Sequence, residues 1–422
     1  MKDKGIFIGV LLVCLYTFLG CKTNNESTEM TAAKILGNAD YQAISYGGYR
    51  HADHSKEPTI AELKEDMRIL YAMGIRVLRT YKVHLPHAAN VLQAIREIKQ
   101  EDKSFEMYVM LGAWIDCKNA WTDLEPDHEQ ESERNAVEIA EAVRLTNLYP
   151  DIVKVIAVGN EAMVKWAASY YVQPWVILKW VEHLQQLKRK DGLPKELWIT
   201  SSDNFASWGG GDTEYHVEDL NKLIAAVDFL SVHTYPMHDT HYNPNFWGIL
   251  EEEMALPDNE KIKAAMERSL AYAQGQYQNV VDYMKSLDIE KPVHIGETGW
   301  ASYSNGFYGD KGSLATDEYK ESLYYHMMRN WTDANGISCF FFEAFNEPWK
   351  DASNAGGSEN HFGLFTVDGK AKYALWDMVD EGAFEGLGRN GNAISKTYDG
   401  DVNTLMSEVK VPPIQQKSLV NH

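Results

Sequence analysis

Between residues 42 and 381 the chain alternates, eight times over, between short strand-like runs and longer helix-like stretches. The runs fall at 42–48, 75–80, 105–113, 152–160, 197–203, 227–235, 292–298 and 337–345. Helical character fills 58–73, 86–101, 129–148, 173–190, 217–226, 260–287 and 315–335, with a last stretch near 371–381. Thr59-Ile60-Ala61-Glu62 has the form of a capping box and opens the first of them. Eight β/α units in one chain predict an α/β fold, a (β/α)8 TIM barrel forming a single catalytic domain. The 422 residues are ample for a barrel that needs about 250.

In such a barrel the C-terminal ends of the strands form the rim where chemistry is done. Two runs deliver carboxylates there. Residues 155–161 read Val-Ile-Ala-Val-Gly-Asn-Glu, and residues 293–300 read Val-His-Ile-Gly-Glu-Thr-Gly-Trp. A structural role would account for either glutamate alone. Glu161 and Glu297 together, each after an apolar β-branched run, supply what glycoside cleavage requires: a proton donor and a nucleophile or base.

Composition narrows the substrate. The net charge of −21 disfavours nucleic acid, which is gripped by basic patches, and disfavours polyanionic glycans as well. The 12 Trp and 23 Tyr serve packing and also suit the flat C–H face of a sugar ring. A neutral glycan is the expected partner, and a monomer the expected state. No Cys-x-x-Cys or Cys/His cluster is present. Strand 1 ends Tyr46-Gly47-Gly48, without the His-x-His that barrel metallohydrolases carry there, so neither metal nor other cofactor is expected.

The ends of the chain read differently. Lys2 and Lys4 followed by the apolar Gly5–Leu19 make residues 1–20 a signal segment. Its end, Phe18-Leu19-Gly20-Cys21, resembles a bacterial lipobox, which implies lipidation of Cys21 and a place in the envelope of a Gram-negative bacterium, held to a membrane by the lipid alone. Residues 21–36 read as a polar tether, 37–384 as the catalytic domain, and 385–422 as an extension packed on the barrel or a frayed tail. Residues 236–259 form a long loop after strand 6 carrying Trp247. That loop is expected to wall off one side of the cleft and favour oligosaccharides or chain ends, against an endo-acting alternative with an open groove.

Four segments, in order, resemble glycoside hydrolase family 17, the β-1,3-glucanase group within the clan of retaining barrel glycosidases. They are Gly159-Asn160-Glu161; Gly296-Glu297-Thr298-Gly299-Trp300-Ala301-Ser302, with Ala301 where the family usually has Pro; Phe342-Glu343-Ala344-Phe345-Asn346-Glu347-Pro348-Trp349-Lys350; and His361-Phe362-Gly363-Leu364-Phe365. The similarity runs from about 42 to 380. It implies Glu161 as acid/base, Glu297 as nucleophile, and β-1,3-glucan of the laminarin type as substrate. It also implies that Asn160 bonds the sugar 2-hydroxyl, that Tyr235 bonds the nucleophile, and that Tyr46, Tyr81, Glu347 and Lys350 lie at the cleft. Trp114, Trp300 and Trp349 are candidate stacking platforms. A glucanosyltransferase would use the same glutamates; a non-catalytic glycan-binding lipoprotein would not need both.

Overall fold

In the computed structural model of the chain, residues 30–415 are described. The signal segment, Cys21 and most of the tether lie outside them. The eight runs become Gln42–Ser45 (β1), Ile75–Arg79 (β2), Tyr108–Ala113 (β3), Val153–Asn160 (β4), Trp198–Asn204 (β5), Leu230–His233 (β6), Val293–Gly299 (β7) and Cys339–Phe342 (β8). Each pairs in parallel with its successor and β8 closes on β1, so the (β/α)8 TIM barrel is the fold. The helices Ile60–Ala72 (α1), Pro86–Glu101 (α2), Arg134–Leu148 (α3), Pro174–Arg189 (α4), Glu218–Ala226 (α5), Asp258–Ser286 (α6), Glu318–Ala334 (α7) and Trp376–Asp380 (α8) follow strands β1 to β8.

Local chemistry sets these boundaries. At α1 the Thr59 hydroxyl accepts from the Glu62 amide at 3.2 Å, and the Glu62 carboxylate accepts from the Thr59 amide at 2.8 Å. That satisfies two otherwise orphaned groups at the helix start. Pro86 and Pro174 occupy the first positions of α2 and α4, where a missing N–H costs nothing. On α2, Ala88, Val91, Leu92, Ile95 and Ile98 are buried, the i, i+3, i+4 stripe of a helix lying on a core. Helix α3 starts at Arg134, later than expected, because Asp127–Glu131 pairs antiparallel with Cys117–Lys118 in a hairpin over the rim. Cys117 and Cys339 are both free and buried.

The register brings the strand ends level. Asn160 lies opposite Ser202, Asn204 opposite His233, and His233 opposite Glu297. Two glycines permit this. Gly159 sits at φ +81° and turns the chain off β4. Gly296 has no space for a side chain: a Cβ there would fall 2.0 Å from the Ser231 hydroxyl and 2.5 Å from that of Ser202.

The segment 236–259 lines a cavity beside Tyr235 through His238, Asp239, Tyr242 and Asn243, but not through Trp247. It opens as a short helix, Pro236–Tyr242, and Trp247 turns inward, 2% exposed, donating Nε1–H to the Ser313 carbonyl at 2.8 Å and packing on Trp300. A large apolar ring with one donor finds both partners under the loop, not in the cleft. The described part of the extension packs on the barrel: Ile249 bridges to Ile414, and its amide donates to the Pro413 carbonyl at 2.8 Å.

Gly296→Ala is expected to cost about 1–3 kcal/mol in denaturant unfolding, the range for overpacking a filled interior. Gly275→Ala, on α6 with nothing within 4 Å of the added methyl, should instead stabilise by roughly 0.5–1 kcal/mol. Equal effects at the two sites would contradict the packing described at Gly296.

Candidate active site

Arg79, the last residue of β2, is 1% exposed and points its guanidinium across the rim. Nη1 donates to the Gly296 carbonyl at 3.1 Å and to Glu297 Oε2, and Nη2 donates to Asn160 Oδ1 at 2.5 Å. One cation therefore spans β2, β4 and β7. Using Asn160 Oδ1 in this way turns its Nδ2 donor elsewhere. Glu297 is fixed further by two phenols: Tyr235 donates to Oε1 at 2.7 Å and Tyr81 to Oε2 at 2.8 Å. Tyr81, Tyr235 and Asn160 are thus gathered around Glu297 and Arg79 on one rim.

Glu161 follows directly on β4 at φ +46°, its amide donating to the Ser202 carbonyl at 3.0 Å. Its carboxyl Oε1 lies 3.2 Å from His233 Nδ1, and His233 Nε2 lies 2.8 Å from the Ser202 hydroxyl. Behind it, the buried Asp203 carboxylate accepts from the Met163 amide and the Ser207 hydroxyl, each at 2.7 Å, pinning the backbone just past Glu161.

The two glutamates are held in opposite states. Burial, then the negative charge of Glu297, pushes Glu161 up to about 8. Burial also opposes ionisation of Glu297, but His233, Arg79 and the Tyr235 and Tyr81 hydroxyls outweigh it and hold Glu297 at about 2. Burial brings His233 itself down to about 4, so near neutral pH Arg79 is the fixed positive charge beside the pair. The result is a protonated carboxyl and an ionised carboxylate on one rim. Such a pair can give a proton to a leaving oxygen while attacking a carbon.

Two cavities meet there. One, of about 680 Å³, runs from Asn160 and Glu297 past Tyr81 and Trp114 to Trp349 and Lys350. The other, of about 770 Å³, runs from Glu161 and Glu297 past Tyr235 to Trp166 and Tyr308. In the first, the Trp349 ring stacks on His54 at 3.8 Å and donates to Glu347 at 2.9 Å. Glu347 also accepts from the Tyr49 amide at 3.0 Å, and Lys350 stands 3.4 Å from Glu343 and 3.8 Å from Glu347. Glu343 Oε1 and Asp116 Oδ1, buried in the same lining, have no hydrogen-bond partner among the described residues. A sugar hydroxyl would satisfy them. Trp114 is half-buried with Lys82 5.5 Å from its ring. Among the described residues no group of three or more His, Cys, Asp or Glu side chains is placed to hold a metal ion.

Two of the aromatic assignments change. Trp300 is fully buried: its Nε1 donates to the Ala315 carbonyl at 2.8 Å and its ring packs on Tyr324 of α7, so it is no stacking platform. It follows β7 on the side facing the helices. Tyr46 borders the first cavity but is 1% exposed, its hydroxyl donating to Asp66 at 2.9 Å, so it braces the wall more than it offers a face. Arg79, His233 and Asp203 join the site without a motif to announce them, and Glu343 joins it from within the strand 8 segment. An arginine at the C-terminal end of a strand, where the rim lies, is the available signal for Arg79, and His233 sits two residues from Tyr235.

Residues 43–363 match the family model of the BtgE/BtgC glycoside hydrolase domain. An endo-laminarinase from Formosa Hel1_33_131 has a similar solved structure: 66% identity, TM-score 0.92, covering 93% of this chain and 100% of its own. A glucan 1,3-beta-glucosidase of Arthroderma benhamiae is 26% identical over 74% of this chain and 83% of its own length. The glycoside hydrolase family 17 beta-1,3-glucanosyltransferase from Rhizomucor miehei shares the fold, at 19% identity and TM-score 0.53, covering 79% of this chain and 96% of its own.

The protonation states can be checked without a substrate. Native Glu161 titrates near 8 against an ordinary value of 4.5, so between those values the native state keeps a proton that the unfolded chain has released. Stability from this group therefore falls as pH rises through that window. Glu161→Gln removes the effect. Its stability relative to wild type should grow between pH 5 and pH 8 by on the order of 1–3 kcal/mol. A difference that stays constant with pH in denaturant titrations would refute the raised carboxyl.

Proposed function

The chain belongs to the BtgE/BtgC glycoside hydrolase domain family, and from that premise we propose that it cleaves β-1,3-glucosidic bonds of laminarin-type glucan with retention, through Glu297 as nucleophile and Glu161 as acid/base. The observation that carries this is the placement of the two glutamates where the two cavities meet, Glu297 held by Arg79, Tyr81 and Tyr235 and Glu161 beside His233.

Glu161 gives its proton to the glycosidic oxygen as Glu297 attacks the anomeric carbon, forming a covalent glycosyl-enzyme. Esterification removes the negative charge on Glu297 that had helped raise Glu161. Glu161, now the stronger acid, stays ionised after protonating the leaving group and serves as base toward water. Tyr235 and Tyr81 hold the attacking carboxylate in one rotamer, and Asn160 Nδ2 is oriented for the sugar 2-hydroxyl by the bond its Oδ1 accepts from Arg79. The donor Glu161 borders the second cavity, so the leaving segment is assigned to that cavity and the glycone to the Asn160 cavity.

That layout favours endo attack. A chain continuing past Glu297 through both cavities is cut internally; the 236–259 segment lines the second cavity with His238, Asp239, Tyr242 and Asn243, and its Trp247 ring is buried away from it. The endo-laminarinase similarity supports the same reading. We also propose that the enzyme is held to the membrane by a lipid on Cys21, on the strength of the Leu19-Gly20-Cys21 junction and the apolar segment before it.

Laminarin digestion with products sized over time is the decisive assay. A ladder of mid-sized oligosaccharides at early times is expected; glucose or a single short oligomer from the start would refute endo action, and longer-than-substrate products would point to transfer. Glu161→Gln and Glu297→Gln should each lower turnover by about 10²–10⁴-fold. In wild type, kcat/KM should fall as pH rises through about 8, where Glu161 loses its proton. Early NMR showing the α-anomer first would exclude the double displacement. Cys21→Ser should move the protein from the membrane to the soluble fraction, and continued membrane retention after a salt wash would exclude the lipid anchor.

A further inference from the structure

Beyond the residues matched by the family, the chain places a hairpin beneath the cleft. Gly388–Arg389 pairs antiparallel with Asn392–Ala393 across Asn390-Gly391, whose φ angles are 54° and 78°. Two positive φ values in a two-residue loop are the type I′ turn that Asn-Gly favours. The hairpin carries Arg389 inward to 0% exposure.

Arg389 is tied to residues behind the first cavity and, through Nη1, to the Val367 carbonyl. Nε and Nη2 donate to the Asp66 carboxylate of α1 at 2.8 and 3.1 Å, and Nη2 donates to the Gly48 carbonyl at 3.2 Å. The guanidinium lies 4.0 Å from the Phe345 ring centroid, just beyond β8. Asp66 in turn accepts from the Tyr46 hydroxyl at 2.9 Å and from Arg50 Nη2 at 3.0 Å. Arg50 Nη1 donates to Asn390 Oδ1 at 2.7 Å, which closes the ring back onto the hairpin. Through Asp66, Arg50, Tyr46 and the Gly48 carbonyl these contacts converge on residues 46–50, the loop leaving β1. That loop supplies Tyr46, Gly47 and Tyr49 to the lining of the Asn160 cavity. Tyr49 in turn packs on His54 and Trp349, so the loop sets the aromatic wall as well.

We propose that Arg389 is a positioning residue for substrate: the C-terminal hairpin uses it to lock the 46–50 loop, so that the glycone portion of the glucan lies in register with Glu297. This rests on the β-1,3-glucan reading above. Arg389 touches no reacting atom; it acts through Asp66 and the Gly48 carbonyl. A fork that satisfies a carboxylate and a carbonyl together cannot be replaced by a lysine's single ammonium.

The test compares Arg389→Met and Arg389→Lys with wild type on laminaritriose and laminarihexaose, beside hydrogen exchange of the amides in 46–50. Arg389→Met should raise KM for the hexaose by roughly tenfold with kcat held within about twofold, as loss of uniform binding does. The triose, reaching less of the wall, should change less, and Arg389→Lys should fall between. Exchange in 46–50 should quicken about tenfold while β7 and β8 keep their protection. If Arg389→Met does not fold, Arg389→Lys is read in the same two assays. Unchanged KM at both lengths, or an equal loss of kcat on both with KM unaltered, would overturn the proposal. Absence of wild-type turnover on the hexaose would instead overturn the β-1,3-glucan reading, and the exchange measurement would still decide on Arg389.

Discussion

The site depends on one buried cation. Arg79 lies among groups that could not otherwise coexist: a carboxylate at about 2 and a carboxyl at about 8, both close to the rim's centre. Burying a guanidinium is costly unless partners take up its protons, and breaking such a set by removing one member leaves a charge stranded. Here Glu297, the Gly296 carbonyl and Asn160 take them. Without that charge Glu297 would lose one of the groups that, with His233 and the Tyr235 and Tyr81 hydroxyls, hold it ionised against burial. The same contacts set geometry, since Arg79 reaches both the strand that carries Glu297 and the residue next to Glu161.

The barrel makes such a reach possible. Parallel strands with level ends bring side chains distant in sequence onto one rim, and the loops beyond are free to vary. In this chain the variation is of two kinds. Above the rim, the Cys117–Glu131 hairpin carries Trp121, 58% exposed, against Tyr170 near the first cavity. Below the cleft wall, Arg389 arrives from beyond the last barrel helix to brace the loop after β1. One device extends the surface that meets a substrate; the other stiffens the surface already there.

Strands such as β3, β4 and β8 are legible in the sequence because each holds a short apolar run, and strands covered on both faces have that signature; β5, Trp-Ile-Thr-Ser-Ser-Asp-Asn, is mostly polar and owes its place more to the alternation around it. The paired glutamates are legible because a carboxylate ending such a run has few structural reasons to be there. Side-chain direction is not legible. Trp300 lies three residues past Glu297 yet faces the helices, and Trp247 sits in an exposed-looking loop yet packs on Trp300. Whether an aromatic finds a sugar or a neighbour depends on contacts between residues far apart in sequence, which no local pattern records. Arg79 stays hidden for the converse reason. It reads as an ordinary polar residue at the edge of a strand, and only closure of the barrel reveals that its charge has nowhere to go but Glu297. Arg389 sits in a turn-rich tail whose Asn-Gly marks a hairpin but not what the hairpin holds.

The cleft also refines what the net charge of −21 means. That excess belongs largely to the solvated surface, where it bears on solubility more than on recognition. Inside the first cavity the charges are interleaved: Lys82 and Lys350 stand among Glu138, Glu343 and Glu347, with Arg79 beside Glu297. Lys350 lies between two of those carboxylates and 4.2 Å from the Phe342 ring. Such a lining places donors beside acceptors along the groove, with carboxylic side chains in excess over cations. A polyanion would meet more acidic than basic side chains there; a neutral polyhydroxylated chain gains from each donor and acceptor it can satisfy and from each ring it can lie against. Selection for a neutral glycan therefore follows from how the cleft pairs its charges locally, a stronger ground than the sign of the whole chain.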